Sequence, residues 1–363
     1  PAPVYWLTVQ EHFGDLVVGT YGRGFWILDD ISSIRQFDAE GARSGGHLYE
    51  PRPTYRFVMK SSSVSQPEDP GAGENPRYGA AIDYHLPENF QGNVAVTIED
   101  SNGTTIRRIE RVPTAVGLNR TYWNLTLESS RTPRMKTPVL EHSHVSIGDD
   151  GSRPAGENGS VTPLAPPGEY TVRLKVGDRE WTQPLRVLKD PNSSGTLSEI
   201  REQFELVVEL RDAANATVDL INESENIRHQ LYELTEAVGD HVEKDSIRMM
   251  AGSADSVIIE LEMLLTDLRL SGGMAGQDRL RWPRQLYAKI TSLAGYVSGS
   301  DFAPTAQQRE VYSLYQSLLE EYQGKMEEIY VDFLMPLNEF LRLREIPHIQ
   351  TAAGRIVGIS DDR

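Results

Sequence analysis

Apolar positions along this chain change their period once, near residue 195, and that change organises the sequence. Up to about residue 190 they alternate with polar positions in short runs, as in strands whose successive side chains face opposite ways. The runs are "AAIDYHL", "NVAVTIED", "TTIRRIE", "RTYWNLT", "GEYTVRLKV" and "REWTQPLRVL". Asn102-Gly103 separates two of them as a hairpin turn, and Gly177-Asp178 separates another two. Strands of this length and spacing predict an immunoglobulin-like or fibronectin-like β-sandwich over 45–190. Two stretches rich in Gly, Pro, Ser and acid, "SSSVSQPEDPGAGENP" and "GDDGSRPAGENGS", are predicted loops.

A linker over 191–195, the end of "KDPNSSG", introduces a period of about 3.6. Thr196 and Glu199 predict a capping box, and Ile200, Phe204, Val207, Ala214, Val218 and Ile221 then share one helical face. A second helix is expected over 253–270. A third follows Pro283, with Leu286, Ile290, Leu293 and Val297 in register. The last starts at Thr305, boxed by Gln308, and runs toward Leu337, with Pro336 expected to kink or end it. Amphipathic helices with only each other to pack against predict an antiparallel bundle over 196–345, followed by a tail, 346–363.

The opening residues follow neither pattern. In "GDLVVGTYGRGFWILDD", Gly14 to Asp30, Phe25 and Ile27 point one way and Trp26 and Leu28 the other, so both faces are apolar. A lone hairpin cannot cover two faces, whereas a β-propeller blade is packed between two neighbours. "DLVVGTYGRGFWILDD" resembles the closing blade of BNR-repeat (Asp-box) propeller proteins, the glycosyl-hydrolase-like and sortilin-like group with WD40/YVTN/BNR-like repeats. "HLYEPRPTYRF", "NPRYGAAIDYHL", "GLNRTYWNLT" and "PPGEYTVRLKV" are similar to that family's downstream sandwich, and "PTAQQREVYSLYQSLLEEY" to its terminal helical region. The Asp-box itself, Ser-x-Asp-x-Gly-x-x-Trp, is absent.

The resemblance implies that residues 1–44 are a last blade and its connector, with upstream blades of the same protein as partners. It also implies a periplasmic or extracellular location. The expected role is that of a non-catalytic accessory region, closing a propeller and presenting a surface to a glycan or protein ligand. Two alternatives follow from the same resemblance: the accessory part of a glycan-acting hydrolase whose active centre lies in upstream blades, and a sortilin-like peptide receptor.

Composition narrows the partners. The 363 residues are 39% hydrophobic and 25% charged, as in ordinary globular chains. No apolar run approaches the roughly 20 residues that span a bilayer. Residues 196–345 hold 27 acids against 14 Lys and Arg, a net of −13 within a total of −17. Phosphate backbones and anionic lipid need clustered cations, so neither nucleic acid nor a membrane is an expected partner. With no cysteine, thiolate nucleophiles, thiolate metal sites and disulfides are excluded from this chain.

Candidate chemistry is sparse, and no cofactor is expected. Glycoside hydrolysis needs two carboxyl groups about 5–10 Å apart across a cleft. Asp29-Asp30 and Asp149-Asp150 are adjacent acids, a spacing that turns them apart in a strand and leaves them solvated in a loop. Gly22-Arg23-Gly24 presents Arg23 to a carboxylate or sulfate, with Tyr21 and Trp26 as stacking faces, unless it is simply a turn whose glycines take positive φ. His142 and His144 form an H-x-H pair beside Glu141, a candidate metal site that competes with a solvent-exposed pair. Trp123 and Trp181 are expected in packing, and Trp282 as a staple before a helix. Asn215 and Asn222 sit in Asn-x-Ser/Thr triplets inside a predicted helix and are read as composition.

Overall fold

The computed structural model describes residues 2–38, 46–58, 75–88, 90–140, 142, 144–157, 159–271 and 281–351. Most of the loop expected over 61–76, the end of the tail and Glu141 lie outside them. Contacts divide the chain into a first unit of 1–128, 163–204 and 300–303 and a second unit of 129–162, 205–299 and 304–363. The order of β first and α afterwards follows the change of period.

In the first unit, β1 (Val4–Gln10), β2 (Asp15–Thr20) and β3 (Phe25–Leu28) form an antiparallel sheet in that order, followed by one helical turn, α1 (Ser32–Arg35). The next strands are β4 (His47–Leu48), β5 (Thr54–Arg56), β6 (Ala80–Leu86), β7 (Val94–Glu99), β8 (Thr105–Ile109) and β9 (Gly117–Trp123). Strand β6 lies between β4 and β9 in an antiparallel three-stranded sheet. A five-stranded sheet runs β5, β13 (Arg179–Lys189), β12 (Gly168–Val176), β7, β8, with only β5 parallel to its neighbour.

Alternation selects the buried face of each strand. On β6 it is Ile82, Tyr84 and Leu86, and on β12 Tyr170, Val172, Leu174 and Val176. The two sheets meet where the buried Trp123 ring lies 5.2 Å from Tyr170, while its indole N–H donates to Thr126 O at 2.9 Å. Gly79, at φ +118°, permits this packing, because a Cβ there would fall 2.1 Å from Trp123 O. Both expected hairpins form. Asp100 Oδ1 accepts from the N–H groups of Asn102 and Thr104, each at 2.9 Å, and Gly177-Asp178 joins the paired residues Val176 and Arg179.

The second unit contains the short pair β10 (Arg134–Met135) and β11 (Arg153–Pro154) and most of the helices. These are α2 (Leu197–Ala237), which starts within the first unit, α3 (Lys244–Leu265), α4 (Leu286–Val297), α5 (Ala306–Ile329) and α6 (Met335–Arg342). Both capping boxes are present: Thr196 N–H reaches Glu199 Oε2 at 2.8 Å with the reciprocal bond at 3.2 Å, and Thr305 and Gln308 repeat the pattern. Helix α3 begins nine residues before the expected start, because Ile247 and Ala251 bury an extra two and a half turns against the common core. Pro336 does not stop the last helix. A π turn, Tyr330–Leu334, with Met335 N–H bonded to Tyr330 O, lets α6 start beside the proline, where a missing N–H is harmless. One continuous core joins Val207, Ala214 and Ile221 of α2 to Ile258 and Leu265 of α3, Ile290 of α4 and Met326 of α5.

Candidate functional site

Among the described residues, none covers either face of the β1–β3 sheet. Pairing places Trp26 beside Val18 and Leu7, and Phe25 beside Gly19 and Trp6, so neighbouring aromatic residues of each strand stand on opposite faces. Phe25 is 82% exposed, Trp6 72% and Trp26 63%. Tyr5, Leu7, Ile27 and Leu28 are exposed as well. Contiguous apolar area of this kind marks an interaction surface, since scattered single apolar residues are what soluble surfaces usually carry.

The β2–β3 turn carries the candidate ligand residues. Gly22 and Gly24 take φ +79° and +64°, and Thr20 closes the turn through its N–H and hydroxyl to Gly24 O, at 3.1 and 2.8 Å. Arg23 is exposed, with no ion-pair partner among the described residues. Tyr21 meets the Tyr5 ring at a tilt of 47°, with centroids 5.7 Å apart, whereas Trp26 lies within β3. The three side chains therefore share one end of the sheet without converging on a common point.

A polar knot fixes the C-terminal end of that sheet. Asp30, at φ +48° and buried, donates its N–H to Asp15 Oδ1 at 2.9 Å and receives Ser32 and Arg52 on its carboxylate. Arg120 donates to the carbonyls of Asp29 and Asp30, at 2.9 and 2.6 Å, and grips both oxygens of Asp83. The Asp83 hydrogen bonds push Arg120 still higher than an ordinary guanidinium. Asp83 also takes the Ser33 hydroxyl. Asp30 is thus committed to holding the sheet in place and offers no carboxylate for paired acid–base chemistry.

His142 and His144 are brought together, with ring centroids 5.7 Å apart in an edge-on arrangement. His142 is half-buried and His144 exposed. Among the described residues no group of three His, Cys, Asp or Glu is placed to hold a metal ion, and Glu141 lies outside them.

A second locus lies inside the second unit. Asn215, Asp219, Asn222, Glu225 and Asn226 form one stripe of α2 at helical spacing. The extended segment 131–137 is zipped onto it. Asn215 and Asn222 accept the N–H groups of Arg131 and Arg134, each at 2.8 Å, and Asp219 takes the Arg131 guanidinium at 2.6 and 2.8 Å. Glu225, fully buried, accepts the N–H groups of Lys136 and Thr137 at 2.5 and 2.6 Å and the Thr137 hydroxyl at 2.8 Å. The two asparagines flagged by their triplets are spent on backbone.

Behind the stripe, Arg228 is buried and donates to Glu262 Oε2, Thr137 Oγ1 and Asp255 Oδ1, each at 3.0 Å. Burial, reinforced by the nearby charge of Glu225, pushes Glu262 well above the usual carboxyl range. An unfolded chain releases that proton above about pH 4.3, whereas the folded chain keeps it to higher pH. Stability is therefore fully present below that point and lost as pH rises through the folded value, by up to about 1.4 kcal/mol per pH unit. Glu262→Gln is expected to remove this slope, so that its advantage over the parent grows from pH 5 to pH 8 in urea titrations. Parallel profiles would show that Glu262 is ionised in the fold. The sequence signal for this locus was an acid among the apolar positions of each helix, Glu225 before Ile227 and Glu262 beside Leu261, with Arg228 three residues after the first.

Comparison of the chain with protein-family models, with characterised proteins and with solved structures finds no match.

Proposed function

We propose that this chain is the non-catalytic C-terminal interaction region of an exported BNR-repeat propeller protein. In this reading β1–β3 is the last blade, the two larger sheets of the first unit are an immunoglobulin-like or fibronectin-like sandwich, and α2–α6 form an antiparallel bundle. The observation that carries it is the sheet with large apolar side chains exposed on both faces, which suits an element that other blades cover on each side. Its three strands fall one short of the usual four-stranded blade. The sandwich assignment is supported by Tyr170, whose hydroxyl bonds Pro166 O at 2.7 Å, four residues upstream, beside a buried Trp.

Removing residues 1–28 tests the blade, because the cut leaves Asp30, Arg52, Arg120 and Asp83 in place. The full chain is expected to bind an apolar dye such as ANS and to self-associate, and the shortened chain to do neither while melting at the same temperature. Equal dye binding by both chains, or loss of the remaining fold, would overturn the assignment. Purified full chain is also expected to leave glycan and peptide panels unhydrolysed; turnover that co-purifies with it through every column would sink the non-catalytic part of the proposal.

A further inference from the structure

Within the second unit, α2, α3, residues 136–138 and Ile147 line a pocket of about 420 Å³, the size class of small organic ligands. Its apolar wall is made by Pro138, Ile147, Leu231, Tyr232 and Ala251. The charged groups on it are Lys136, Arg228, Arg248 and Asp255, three cations against one acid, while His229 is engaged by Glu233 at 3.3 Å. In a region with 27 acids to 14 Lys and Arg, this is a local inversion of sign.

Two of the cations have capacity to spare. Arg228 uses Nε on Asp255 and Nη1 on Thr137 and Glu262, and its Nη2 has no protein partner among the described residues. Arg248 is exposed and has no acid within ion-pair distance among those residues. Lys136 is met by the Asn226 amide oxygen at 2.9 Å, not by an acid. Arg228 is also held by the buried Thr137 and Glu262 and by the partly exposed Asp255, so little ordering remains for a ligand to bring about. A polyanion would face Asp255 and the buried Glu225 behind Arg228, and an amine would meet three like charges.

We propose that this cavity binds a small monocarboxylic acid with an apolar body. The carboxylate sits on Arg228 Nη2 and Arg248, and the hydrocarbon part lies against Leu231, Ile147 and Pro138. The single negative charge meets Arg228 Nη2 and the guanidinium of Arg248 in charge-assisted contacts, and the apolar wall selects against hydrophilic acids.

Calorimetric titration of the full chain at pH 7 with 3-phenylpropionate and with octanoate tests this. Each acid is expected to bind saturably at one site, at least about tenfold more tightly than the alcohol or amine of the same skeleton, the discrimination of one charge-assisted hydrogen bond. Arg248→Ala is expected to weaken binding about tenfold for the same reason. Gly252→Leu supplies a variant that folds: Gly252 lines the cavity within α3, a Cβ there meets nothing within 4 Å, and leucine favours the helix. It is expected to abolish binding with the melting temperature unchanged or raised. Failure of both acids to saturate at millimolar concentration, equal affinity for the alcohols, or undiminished binding by Gly252→Leu would each overturn the proposal.

Discussion

Glu225→Ala is expected to lower the unfolding free energy by about 3–5 kcal/mol, the cost of breaking a buried charged pair from one side. The loss has two physical sources. The N–H groups of Lys136 and Thr137 lose the acceptor that they share at 2.5 and 2.6 Å, and the Thr137 hydroxyl loses its own at 2.8 Å. Arg228, 6% exposed, then faces one fewer acid with little hydration to replace it. Salt screens neither source much, because Glu225 is fully buried and Arg228 nearly so. Asp219→Ala is the internal comparison: it sits on the same stripe and holds Arg131 with two short bonds, yet both side chains are more than half exposed, so its loss is expected to cost at most about 1 kcal/mol. Urea unfolding followed by helical circular dichroism measures both. A Glu225→Ala variant no less stable than Asp219→Ala would mean that segment 131–137 is held by its apolar contacts instead.

That segment also shows where local sequence patterns stop being informative. The strands and hairpins of the first unit are legible because each depends on residues within a few positions, as in the Asp100 turn at Asn102-Gly103 and the Gly177-Asp178 turn. Both capping boxes are equally local. Residues 129–162 are different: their period groups them with strands, and their contacts group them with helices. The acceptors for their backbone lie 84 to 89 residues later, on a helix face that a pattern of apolar positions does not mark. Glu225 and Glu262 are hidden for the same reason, since an acid on an apolar stripe reads as an interruption until its partner is known. Trp282 illustrates a milder case. Its staple position before α4 is visible, but the Arg269 guanidinium 3.5 Å over its ring, steered by Asp267 at 2.7 Å, is not. Of the candidate site, the two-faced apolar strands were fully legible, because face alternation is a two-residue property; the cavity of the second unit was not, because its walls come from three separate stretches of chain.

Asp301→Ala is expected to cost a comparable amount, about 3–5 kcal/mol, in the first unit. Arg56 of β5 is 1% exposed, and its Nη1 donates to Asp301 Oδ1 across 245 residues of sequence. Nε and Nη2 of the same guanidinium are buried without a protein partner among the described residues, where Asp301 is the acid that compensates the charge. The backbone approach that brings residue 301 so close depends on Gly195, where a Cβ would lie 2.2 Å from Asp301 O. Removing the carboxylate strands a cation that has no route to water, and a strong donor then lacks both its acceptor and its hydration. The origin of the cost can be isolated, because an apolar residue of similar length needs no counter-charge. Arg56→Met combined with Asp301→Ala is therefore expected to recover most of the stability lost in Asp301→Ala alone, since replacing both members of a buried pair is commonly neutral or better. A double variant as unstable as the single one would assign the loss to packing around residue 301. Recovery would mean instead that the pair selects which segment of chain returns to β5, at little net gain in stability over an apolar contact.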